Sequence, residues 1–174
     1  METLEILIKQ GKIRAAGVSN YNTAQLKEAS ETLLPASNQV SYSMLNREIE
    51  EELVPYTLAN NIGIIAYSPM ERGLLSGKYF RGGKLKENDH RQGYFTQFNL
   101  DKVQDLIQTL EPIAIDKQVT LSQLVLRWTS LQPGITAVLA GARTAQQAKE
   151  NAQSAQVSLS AEDLETINKA LEKL

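Results

Sequence analysis

Four short β-like runs, each followed by a helical stretch, occupy most of the chain, and this alternation constrains the fold more than any other feature. The runs are 13–18 (IRAAGV), 37–41 (SNQVS), 62–67 (IGIIAY) and 136–140 (TAVLA). The third is the clearest strand: it is β-branched, unbroken, and bounded by Asn60-Asn61 and Ser68-Pro69. A strand reached through a helical crossover re-enters the sheet from the same end, so successive strands pair in parallel with right-handed connections. Four such units define an α/β fold with a parallel sheet.

The helices follow from spacing and caps. Apolar residues recur at helical intervals across 99–115 (Val103, Leu106, Ile107, Leu110, Ile113, Ala114) and 121–131 (Leu121, Leu124, Val125, Trp128). A helix is predicted at 2–10, stopped by Gly11. Another starts after Asn22, carries Leu26, Ala29 and Leu33, and ends before Pro35. The stretch 47–59 reads as helix, with Pro55 forcing a kink or a late start. The final helices are expected at 145–155 and 161–174, the last introduced by the capping box Ser160-x-x-Asp163. A Gly-rich and charged segment, 68–98, is long enough to be a functional or mobile loop. With 174 residues and no linker or repeat, residues 1–174 read as one domain.

Several function classes drop out. Eighteen Lys and Arg against twenty Asp and Glu give a net charge of −2, which argues against nucleic acid as a partner. No apolar run approaches the roughly 18–20 residues of a membrane span, and no signal peptide opens the chain, so a cytoplasmic protein without a membrane partner is expected. The absence of cysteine excludes disulfides, thiolate metal sites and Cys nucleophiles. One histidine, His90, excludes a His-pair zinc site.

Nucleotide signatures are also lacking: there is no G-x-G-x-x-G, and GLLSGK at 73–78 is one residue short of a P-loop. A single RGG at 81–83 carries no weight as an RNA-binding box. Arg72, Lys78, Arg81, Lys84, Lys86 and Arg91 fall within twenty residues, against Glu87 and Asp89. An anion-binding loop and a merely solvated loop both fit that cluster. A second anion candidate is GART at 141–144, between the fourth strand and its helix, where Thr144 can cap and Arg143 adds charge. Ser19-Asn20, Gln39 and Tyr67-Ser68-Pro69 similarly place polar groups at strand ends, where parallel α/β proteins bind ligands. Taken singly each reads as a turn; jointly they point to a ligand.

Catalytic candidates are thin. His90 lacks a partner at fixed spacing and reads as a surface residue. Glu50-Glu51-Glu52 reads as a solvated helix face. Tyr42, Tyr56 and Tyr79 have no nearby Lys motif, and no G-x-S-x-G occurs. The residues alone describe a ligand-binding α/β scaffold without a visible catalytic machine.

Four segments then resemble one family in order. GKIRAAGVSN (11–20), QVSYSMLNR (39–47), AYSPMERGLLSGK (66–78) and GARTAQQAKEN (141–151) are similar to motifs of the aldo-keto reductases. The resemblance implies a (β/α)8 TIM barrel that reduces aldehydes and ketones with NADPH, held without a Rossmann fingerprint. It implies that Ser19, Asn20 and Gln39 hold the nicotinamide carboxamide and that Tyr67 stacks on the ring. Ser68, Pro69, Met70, Arg72, Gly73, Leu74, Ser76 and Lys78 would line the pyrophosphate. Gly141, Arg143, Gln147, Glu150 and Asn151 would surround the adenosine end, with Arg143 near the 2′-phosphate.

The resemblance covers only the C-terminal half of such a barrel: four parallel βα units. The family's catalytic Asp, Tyr, Lys and His belong to the first four units, so no catalytic residue is assigned here. The chain is therefore expected to be a truncated or split cofactor-binding half, inactive by itself; the alternative is a non-catalytic NADPH-binding or protein-interaction half-barrel. Its sheet edges at 13–18 and 136–140 would lack neighbours. Self-association, a complementary N-terminal half, or the terminal helix folding over the open face could each cover them.

Overall fold

A computed structural model describes residues 1–83, 85, 87–89 and 91–174. Lys84, Lys86 and His90, named above, lie outside the described residues. Helix α1 (Glu2–Lys9) leads into β1 (Val18–Ser19), α2 (Thr23–Thr32) and β2 (Ser37–Ser41). A 3-10 turn (Glu48–Glu50) precedes α3 (Leu53–Ala59) and β3 (Gly63–Tyr67). A second 3-10 segment (Glu71–Ser76) and α4 (Arg91–Phe95) break up the long loop. Then come α5 (Leu100–Asp116), α6 (Leu121–Leu131), β4 (Ile135–Val138), α7 (Ala145–Gln153) and α8 (Ala161–Leu171). The strands pair in parallel in the order β1-β2-β3-β4, as the alternation requires.

Local chemistry sets the boundaries. Asn22, Thr120 and Ser160 each form the reciprocal capping box with the residue three positions on. Pro55 stands in the first turn of α3, where its absent N–H breaks no hydrogen bond, and the regular helix duly starts late. The expected strand at 13–18 contracts to two residues. Arg14 and Ala15 are exposed, and β1 has a neighbour on one side only, so no second ladder extends it. The fourth strand likewise starts one residue earlier and stops two earlier than the apolar run suggested.

Register divides the sheet into two faces. Asn38, Val40, Ile64 and Ala66 are buried beneath the helices. Ser19, Gln39, Ile65 and Ala137 align across all four strands and point the other way. That second face stays open: Leu139, just past β4, is 44% exposed. Helix α8 does not cover it. Its Ile167 and Leu171 join Val103, Leu106 and Trp128 in the main core on the helical side, so the expectation of a terminal helix folded over the open face is corrected.

Glu50 also departs from expectation. It is no solvated charge but the acceptor for Arg47 Nε (2.9 Å), Arg47 Nη2 (2.8 Å) and the Tyr42 hydroxyl (2.5 Å). Burial raises the Glu50 carboxyl, but the hydrogen bonds from Arg47 and Tyr42 more than offset this and hold it below its usual range. Burial, reinforced by Glu50, pushes the Tyr42 phenol far up, so it remains a donor. A depressed carboxyl stabilises the fold above its unfolded pKa and loses that contribution as pH falls through the folded one. Glu50→Gln is expected to cost about 1–2 kcal/mol at pH 7, the scale of a lost charge-assisted hydrogen bond. Urea melts should show that gap closing below about pH 4, the ordinary carboxylate range. A gap that persists unchanged with pH would contradict the assignment.

Candidate functional site

The site is built on the carboxyl ends of the four strands. At the end of β1, Asn20 takes a left-handed conformation (φ 58°). The Ser19 hydroxyl and the Asn20 amide both donate to the Gln39 carbonyl, at 3.0 and 2.9 Å. Across β2, the Tyr67 hydroxyl donates to Asn20 Oδ1 at 3.0 Å, so a side-chain bridge spans the central strand. The Gln39 carboxamide lies on the open face, half-buried, and makes no hydrogen bond to a described residue. An amide held there offers both a donor and an acceptor.

One supporting residue escaped the sequence reading. Asn38 is fully buried on the helical face, and its side chain donates to the Tyr21 carbonyl (2.7 Å) and accepts from the Tyr21 amide (3.3 Å). It pins the turn that presents Ser19 and Asn20. An Asn on the buried face of a strand needs such partners, and that was its available signal.

The loop after β3 is tightly wound. Ser68, Glu71, Arg72, Gly73 and Gly77 all have positive φ. Gly77 needs to be glycine twice over, since a Cβ there would also stand 2.7 Å from Leu121 Cδ1. The Ser76 hydroxyl donates to the Gly73 carbonyl at 2.6 Å and so braces the turn. Pro69 is buried, Met70 packs on the core, and Leu74 lies wholly within it, so Leu74 presents no surface of its own to a ligand. The basic cluster is smaller than its sequence suggested. Arg81 pairs with Glu111 (2.6 Å) and Arg91 with Asp89 (2.6 Å), leaving Arg72 and Lys78 as unpaired cations among the described residues of this cluster.

After β4, Thr144 caps α7 by accepting from the Gln147 amide at 3.1 Å. Gln147 Oε1 accepts from the Arg143 amide (2.7 Å), and Asn151 Nδ2 donates to the Gly141 carbonyl (3.2 Å). Both amides thus hold the loop, while the Arg143 side chain is exposed beside the helix N-terminus and makes no ion pair with a described residue. Gln123 ties the Glu150 carbonyl to α6 at 3.2 Å. Ser76, Lys78 and Glu150 line one groove, so the loop after β3 and the helix after β4 meet. Asn20 opens instead onto a separate cleft beside Ser41 and Asn46. No cluster of metal-ligating side chains is present among the described residues. No helix there is long and apolar enough to cross a membrane.

This is a parallel α/β sheet with polar groups gathered at the carboxyl ends of its strands, the arrangement that ligand-binding α/β proteins share. The chain belongs to the aldo/keto reductase family, whose profile matches residues 1–172. It is 34% identical over 172 residues to an uncharacterised oxidoreductase of Mycobacterium tuberculosis, covering 98% of this chain and 53% of that one. It is 32% identical over 174 residues to the NADH-specific methylglyoxal reductase of Escherichia coli, covering 98% and 52%. Among solved structures, the glycerol dehydrogenase of Gluconobacter oxydans superposes with a TM-score of 0.89 at 28% identity, covering 99% of this chain and 53% of that one. A thermostable aldo-keto reductase superposes at 0.72 with 26% identity, covering 96% and 52%. The chain spans about half the length of the curated relatives it matches.

Proposed function

We propose that the strand ends form a nicotinamide dinucleotide site, with NADPH preferred, and that this chain is the cofactor-binding half of a carbonyl-reducing barrel in a cytoplasmic protein. The observation that carries this reading is the Gln39 carboxamide, without a partner among the described residues, beside the Tyr67–Asn20 bridge, with unpaired cations on the loops after β3 and β4. The donor set fits the group. Ser19, Asn20 and Gln39 would hold the nicotinamide carboxamide, and Tyr67 would offer its ring face. Ser68, Pro69, Met70, Arg72, Gly73, Ser76 and Lys78 would line the pyrophosphate, with the buried Leu74 supporting that loop from the core. Gly141 and Arg143 would meet the adenosine end together with Glu150, while Gln147 and Asn151 keep that loop in shape. Bound there, the nicotinamide would supply hydride chemistry toward an aldehyde or ketone.

The relative named NADH-specific makes the cofactor phosphate the discriminating feature. Arg143 next to the N-terminus of α7 suits an additional phosphate. Calorimetric titration should show NADPH binding more tightly than NADH. Arg143→Ala should weaken NADPH roughly tenfold, the scale of a charge-assisted contact, and leave NADH nearly unchanged. Equal affinity for the two dinucleotides would remove the phosphate assignment. Trp128 is fully buried in the core, stacked at 6.2 Å on Tyr42, so heat rather than indole quenching is the suitable readout.

The open face supports a second element of this reading. The free edges of β1 and β4 call for a partner, either a second copy or a complementary N-terminal half.

A further inference from the structure

Arg72 stands on a strained stretch of backbone. Glu71 and Arg72 are consecutive non-glycine residues with φ of 44° and 53°, a conformation that costs about 1–2 kcal/mol for each L-residue and persists only where surrounding contacts enforce it. The enforcing contact is Glu71. Its side chain is fully buried, and its two carboxyl oxygens accept from the Ser43 hydroxyl, after β2, and the Tyr94 hydroxyl, in α4. Burial, reinforced by Glu71, pushes the Tyr94 phenol up to about 12, so it stays a donor at neutral pH. The Tyr94 ring is further fixed edge-on by Phe98, with centroids 5.8 Å apart.

Arg72 lies over that ring. Its guanidinium carbon is 3.8 Å from the Tyr94 ring centroid. The side chain is exposed and makes no hydrogen bond or ion pair with a described residue. A planar guanidinium stacked on an aromatic face is restrained in orientation, yet its N–H edge is left available for an oxyanion.

We infer that Tyr94, anchored by the buried Glu71, is a positioning residue that pre-orients Arg72 toward a phosphate of the bound dinucleotide. The inference rests on the dinucleotide reading above and extends it to α4, which lies outside the four motif segments. Tyr94 touches no ligand; it lowers the ordering cost that Arg72 meets on binding.

A double-mutant cycle tests this, with NADPH and inorganic pyrophosphate as separate calorimetric titrants of the 174-residue chain. Arg72→Ala is expected to weaken both by roughly tenfold, and Tyr94→Leu by about three- to tenfold, the range of a cation–π restraint. The decisive expectation is non-additivity: in the Arg72→Ala background, Tyr94→Leu should change affinity less than twofold, about the precision of such a cycle. Tyr94→Phe keeps the stack and releases Glu71, so it should lose less than Tyr94→Leu and guards against a variant that fails to fold. Equal losses from Tyr94→Leu in both backgrounds would make Tyr94 a general structural residue and overturn the inference alone. Pyrophosphate binding with the predicted coupling, but no NADPH binding, would keep the Arg72–Tyr94 clamp and overturn the dinucleotide reading. A chain that binds neither would overturn both.

Discussion

Mixed with NADPH and a broad panel of aldehydes, the 174-residue chain by itself is expected to oxidise the cofactor no faster than buffer. Reducing a carbonyl requires a proton for the developing alkoxide as well as a hydride, and a positioned general acid alone contributes typically 10²–10⁴-fold. Three of the tyrosine hydroxyls near the strand ends are already engaged. The Tyr67 hydroxyl is committed to Asn20, and the Tyr94 and Tyr42 hydroxyls are committed to buried or half-buried carboxylates. Orientation of substrate against cofactor adds further powers of ten, and it needs an opposing wall that four strands do not supply. Steady turnover that Tyr67→Ala abolishes would show that this chain carries its own proton donor. Turnover that appears only when an N-terminal family half is added would instead support the reading of divided labour.

The same chain should self-associate when purified alone. Edge strands β1 and β4 each have one neighbour, and neither carries a proline that would discourage further pairing. The strands run parallel in sequential order, so a two-fold axis along the sheet brings β4 of one copy beside β1 of the other twice over. Such a pairing would also cover Ile65, Ala137 and Leu139 on the open face. Sedimentation at tens of micromolar should give twice the monomer mass, with little binding of a hydrophobic dye. A stable monomer that binds no dye would mean that water is tolerated on this face and would remove the pairing.

Much of this architecture was legible from local chemistry. The helices at 121–131 and near 99–115 follow from apolar spacing, and the caps at Asn22, Thr144 and Ser160 follow from one side chain each. Strand limits were less legible because they depend on neighbours. Residues 13–16 have the composition of a buried strand, yet they lie at an edge and are not laddered. Glu50 shows the same limitation in electrostatics: a run of three glutamates looks solvated until Tyr42 and Arg47, set by the turn after β2, converge on one of them. Asn38, Glu71 and Tyr94 were illegible as supports for a related reason. Their partners are 17 to 28 residues away in sequence and come together only through the crossovers. The strand-end positions themselves were readable because a parallel sheet fixes which end of every strand shares one surface.

Hydrogen exchange with and without saturating NADPH would locate the bound dinucleotide without requiring turnover. Slowed exchange is expected in the peptides that carry Ser19-Asn20, Gln39, Tyr67 to Lys78, and Gly141 to Gln147. Helices α1 and α8 should be unchanged. Protection confined to α1 and α2, or no protection at all at millimolar NADPH, would contradict a dinucleotide site at the strand ends.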